Sequence, residues 1–136
     1  MQKLAITNIL ILFFVLGINT NTLAKVDSLP IPEIKAREFI TKKWIITDVE
    51  VRKQKLKSTD LFPYLFVEFI DDGLLVFMSD GEKIFGKWKY KHKNAQITCN
   101  VNHEEEIMQI FSLNNDEMVV ELTLDQDKLK LFFKAI

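Results

Sequence analysis

The chain has 136 residues, and its 18 basic and 19 acidic side chains are scattered along it rather than grouped in blocks. That distribution leaves no phosphate-binding footprint, so nucleic acid is not an expected partner. The single cysteine, Cys99, excludes an intramolecular disulfide, and stability has to come from packing.

The first segment has the three regions of an export signal. Lys3 opens it, an apolar run over 4–18 is broken only by Thr7, Asn8 and Gly17, and a polar stretch ends in Thr22-Leu23-Ala24. The run is shorter than the roughly 20 residues that span a bilayer. Cleavage is therefore expected after Ala24, and no cysteine lies near it for lipid attachment. The reading divides the chain into a leader (1–24), a flexible segment (25–31) and one domain (32–136). No second spanning run follows, so the mature product is expected in the periplasm or outside the cell.

Pro32 and Glu33 suit a helix N-terminus. Ile31, Ile34 and the Phe39-Ile40 pair then recur at helical spacing, which predicts one short helix over 34–40 with its apolar stripe against the end of whatever follows. From Lys43 the pattern changes to short β-rich runs separated by turn signals about ten residues apart. Eight strands are expected: 43–52, 64–71, 74–79, 82–91, 95–101, 105–113, 117–124 and 128–134. The intervening turns include Asp72-Gly73, Asp80-Gly81 and Asn102-His103. Connections this short force antiparallel pairing between neighbours, and eight such strands lose their exposed edges by closing into an up-and-down barrel. The fold class is all-β with one N-terminal helix. The longer 53–63 connection is expected to lie over one barrel mouth.

A two-residue Asp72-Gly73 turn would set Leu65, Val67 and Phe69 on one face with Leu74, Val76 and Met78. A bulge at Gly81 would then bring Ile84, Gly86, Trp88 and Tyr90 to that face and keep the lysines out of it. The last strands contribute Ile107, Phe111 and Leu113, then Met118, Val120, Leu122 and Leu124, then Leu129, Leu131 and Phe133. Gln109 falls in phase with them. Its buried amide needs partners, which a ligand, a water, a bulge or a rim position would each supply. On the other face Ile70, Leu75 and Phe85 line up, with Phe66 and Phe77 nearby. Either the helix or the 53–63 segment covers them, or another protein does.

The helix leading into Lys42-Lys43-Trp44, Val67-Glu68-Phe69 closing on Asp72-Gly73, Gly86-Lys87-Trp88 after a second Asp-Gly turn, and the last three strands ending in Leu129-Lys130-Leu131 together resemble the lipocalin-like domains of small secreted or envelope proteins of bacteria. The resemblance covers 32–134. It implies a binding scaffold in which Trp44 seals the closed end. The family's glycine two residues before that tryptophan is replaced here by Lys42.

No phosphate loop, nucleophile elbow or convergent acid–base set is present, so the sequence does not read as an enzyme and no cofactor or metal is expected. His92 sits in a lysine-rich turn. His103 precedes Glu104-Glu105-Glu106, whose spacing fits neither a zincin helix nor a calcium loop and reads as a solvated acidic turn. Cys99, in phase with Ile97 and Val101, reads as a small buried hydrophobe. Two functions follow. In one, the barrel holds a small apolar or amphipathic ligand against Phe69, Val76, Ile84, Trp88, Phe111 and Val120, oriented by Gln109; eight strands leave room for one such molecule at most. In the other, a solid barrel meets an envelope or extracellular protein through Ile70, Leu75, Phe77 and Phe85 or through the 53–63 loop.

Overall fold

The computed structural model describes residues 29–58, 65–79, 81–124 and 127–136. The expected leader and its cleavage site lie outside the described residues. Helix α1 spans Glu33–Ile40 and starts from Pro32 in an extended conformation. Its inward face is Ala36 and Ile40, both fully buried, whereas Ile34, expected in the stripe, is 80% exposed. Thr41 Oγ1 donates to the Arg37 carbonyl and Trp44 Nε1 donates to the Ile40 carbonyl, so the last turn finds partners for its free C=O groups.

Nine strands follow: β1 (Lys43–Val51), β2 (Gln54–Lys57), β3 (Phe66–Ile70), β4 (Leu74–Ser79), β5 (Glu82–Lys91), β6 (Gln96–Val101), β7 (Glu104–Leu113), β8 (Glu117–Leu124) and β9 (Asp127–Ala135). β1 pairs with β3, each later strand pairs antiparallel with the next, and β9 returns to β1. Eight of the nine close the expected barrel. The ninth, β2, was not expected. It continues the edge of β1 beyond β3, joined to it by Arg52 and Lys53, both at positive φ. The described part of the 53–63 connection thus extends the wall instead of lying over the mouth; residues 59–64 lie outside the described residues.

Two turns revise the register. Ile70 opposes Leu74, so the first tight turn holds three residues, Asp71–Gly73, with Asp72 and Gly73 at positive φ. The extra residue inverts β4. Leu75, Phe77 and Ser79 point inward, and Leu74, Val76 and Met78 line the outer face. At the next turn Ser79 opposes Glu82, so the bulge expected at Gly81 is absent. A two-residue turn from an inverted β4 still delivers Ile84, Gly86, Trp88 and Tyr90 to the interior, and every lysine of β5 stays outside. Gly86 has a steric reason: a Cβ there would lie 2.6 Å from both the Asn100 carbonyl oxygen and Val101 Cγ2.

The third revision is in β7. Ile110 opposes Val120 but Ser112 opposes Val119, so Phe111 is an unpaired bulge residue. Counting back from Leu113 without that bulge inverts the strand. In the structure Glu106, Met108 and Ile110 face inward opposite β6, and Ile107, Gln109 and Phe111 face outward. Met118, Val120, Leu122, Leu129, Leu131 and Phe133 occupy the interior as expected, together with Trp44, Ile46 and Val49 of β1.

Candidate functional site

The barrel has a closed half and a mouth half. The closed half, beneath α1, is fully knit. Trp44 is completely buried there, and Phe69 meets Trp88 edge to face at 5.3 Å. Trp88 Nε1 donates to the Ile70 carbonyl at 2.9 Å. Arg37 Nη2 donates to the Tyr90 carbonyl, and the Tyr90 hydroxyl meets His92 Nδ1 at 2.7 Å. Lys42 donates to the Asn115 carbonyl and Oδ1, each at 2.8 Å, and its ammonium lies 5.6 Å from the Trp44 ring centroid. Lys42 thus ties the start of β1 to the β7–β8 turn over the sealing tryptophan.

The mouth half holds a cavity of about 20 Å³. Ile46, Val67 and Phe77 wall one side, Leu122, Leu131 and Phe133 another, and Cys99, Glu106 and Met108 complete the ring. About 10–15 Å³ accommodates a water-sized group, so the space admits one such group and no drug-sized molecule.

Glu106 is the exceptional residue in that ring. Its side chain is 2% exposed, and neither carboxyl oxygen has a hydrogen-bond partner among the described residues. It stands directly across from Cys99. Burial pushes its carboxyl up to about 8; the backbone N–H of Ile107, close by but outside hydrogen-bonding geometry, opposes the shift only in part. The same burial, and secondarily the Glu106 charge, push the Cys99 thiol up, which keeps it a protonated, unreactive hydrophobe. An unpartnered buried carboxyl is costly when ionised, and at neutral pH this one holds its proton in preference to a bare charge.

Sequence reasoning placed Glu106 in a solvated turn. The signal that locates it is the turn itself: Asn102 and His103 both have positive φ, and Val101 opposes Glu104. Such a two-residue turn carries the inward phase of Cys99 and Val101 straight to Glu104 and Glu106. Glu105 falls on the other face, so the acidic run does not converge on a metal; among the described residues no group of three or more metal-ligating side chains is assembled.

None of the seven residues expected to touch a ligand lines the cavity. Phe69, Trp88 and Val120 are buried inward in the packed core, and Ile84 is half-buried opposite Phe77. Val76 is on the outer face between Glu68 and Phe85. Phe111 is 45% exposed, with the Lys130 ammonium 5.0 Å from its ring centroid. Gln109 lies on the outer face under the His92–Asn94 turn, where Nε2 donates to the Asn94 and Ala95 carbonyls at 2.9 and 3.0 Å and Oε1 accepts from Gln96. Its amide is already satisfied. Of the outer residues expected to meet a partner, Leu75 and Phe77 are instead buried inside; Ile70 is half-buried and Phe85 is 59% exposed.

No protein-family model matches the sequence, and no curated protein matches it. The structure is similar to the crystal structure of a lipocalin-like protein from Bacteroides uniformis, with a TM-score of 0.54 at 14% identity over 72% of this chain and 99% of that one. The fold is lipocalin-like.

Proposed function

We propose that this lipocalin-like barrel is an exported small-molecule binding protein whose site is the mouth half of the lumen, with Glu106 as its polar anchor. The observation that carries the reading is the Glu106 carboxyl, buried without a partner against an apolar cavity. Folding gains nothing from a group in that position, since buried polar atoms are ordinarily hydrogen-bonded within the protein. A ligand that donates hydrogen bonds supplies the missing partner. The size of the cavity restricts the buried portion to a small head group and excludes a long lipid lying wholly inside.

Register supports an entry route. β5 pairs with β6 only from Lys87 onward, so the β4–β5 hairpin projects past the end of the β6–β7 hairpin. The wall steps down from the β4–β5 hairpin beside Val101 and Glu104, and Glu106 lies two residues inside that rim.

The test is native mass spectrometry of the protein purified gently from its own host, followed by organic extraction. A stoichiometric small molecule, retained by the native protein and lost from Glu106→Leu, supports the lumen. Bare protein carrying a second polypeptide instead supports the interaction-module reading and directs mutation to Leu74 and Phe85, the exposed apolar residues of the β3–β5 outer face.

A further inference from the structure

Resting on the lumen reading, we infer that the site selects a small primary ammonium ion, a short-chain alkylamine in its protonated form, held by the Glu106 carboxylate. Both Glu106 oxygens lack partners, and an ionised carboxylate only accepts hydrogen bonds. An ammonium head carries several donors where an alcohol carries one, and it is close to the size of the water-sized group that the cavity of about 20 Å³ admits.

The surroundings carry the same sign. Among the described residues, no lysine or arginine of β1 or β3–β9 shares the inner face, whereas Glu82 and Glu104 occupy inner-face positions toward the mouth. Arg52 at the rim is already paired with Asp127 at 2.8 Å. The titratable group facing Glu106 is Cys99 on β6; burial keeps its thiol protonated, and the remaining walls are apolar. An anionic ligand would meet a carboxyl and no compensating cation.

Binding exchanges one cation for another. The protonated Glu106 carboxyl and R–NH3+ give a carboxylate–ammonium pair, and the carboxyl proton passes to solvent. Since Glu106 holds its proton up to about pH 8, affinity for the ammonium rises with pH below that value. It levels off until the amine itself begins to lose its proton, near the ordinary amine range of about 10.

The probes are n-butylamine and its uncharged isostere n-butanol, titrated into the intact protein and followed by the Met108 methyl signal. Butylammonium is expected to bind at least about tenfold more tightly than butanol at pH 8. Its affinity is expected to rise close to tenfold between pH 6 and 7, with butanol indifferent to pH. Glu106→Gln is expected to remove both the preference and the slope while butanol still shifts Met108. Equal binding of the two probes by the native protein, or an amine affinity flat over that range, overturns the ammonium assignment and leaves the lumen site standing. If neither probe moves the Met108 signal at any pH, the lumen reading falls with it.

Discussion

The closed half and the mouth half of this barrel are made from the same strands and treat polar groups in opposite ways. Beneath α1 each named polar side chain has found a partner: Trp44 on Ile40, Trp88 on Ile70, Arg37 on Tyr90, Lys42 on Asn115. Deeper toward the mouth, Glu106 is as buried as Trp44 and Trp88 and has none among the described residues. The contrast separates the work of holding the barrel shut from the work of meeting something else. An enclosed carboxyl without a partner lowers stability, and its presence in an otherwise well-satisfied interior is the observation on which the proposed lumen site rests.

The largest test of the comparison is at the closed end. Trp44→Ala removes a fully buried indole and the latch on α1, and should lower unfolding free energy by about 3–5 kcal/mol in urea titrations. At the mouth the cost grows with pH. The folded Glu106 carboxyl titrates near 8, above its unfolded value, so below about pH 4.5 both states are protonated and no difference arises. As pH rises from about 4.5 to about 8 the unfolded chain gives up the proton first, and native stability falls by up to about 1.4 kcal/mol per unit. Glu106→Gln should flatten that slope, matching the native protein at about pH 4 and exceeding it by about 4 kcal/mol at pH 8, read from urea midpoints at each pH.

Smaller effects sharpen the account of the outer wall. Gln109→Ala strips the donor from the Asn94 and Ala95 carbonyls, and a loss of about 1–2 kcal/mol is expected, with no change in any ligand affinity. An altered affinity would return Gln109 to the site. Phe85→Ser, at a side chain 59% exposed, should change stability by no more than about 0.5 kcal/mol. A larger loss in thermal unfolding would mean that Phe85 packs against the protein more than its exposure indicates.

The barrel was legible in the sequence because turn residues punctuate it: the eight expected strands coincide with β1 and β3–β9 to within a few residues at each end. What the pattern of residue types could not fix was parity. Asp71-Asp72-Gly73 uses three residues where two were expected, and Phe111 is an extra residue in β7; each inverts a strand, because side-chain direction alternates with every residue. The inversion in β4 was cancelled by a second misjudged turn at Gly81, while that in β7 was not. It put Gln109 inside and Glu106 outside, the reverse of their places. β2 left no trace at all, since Gln54–Lys57 is exposed throughout and lacks any apolar alternation. The proposed site depends on β7, a strand whose phase the Phe111 bulge conceals.

The most direct measurement is a carbon-13 titration of the Glu106 side-chain carboxyl in the intact protein without added ligand. The structure predicts a midpoint near 8, set by burial among apolar walls. A midpoint close to about 4.3, the ordinary value for a solvated glutamate, would show that water reaches the carboxyl freely and would remove the basis for a site at Glu106.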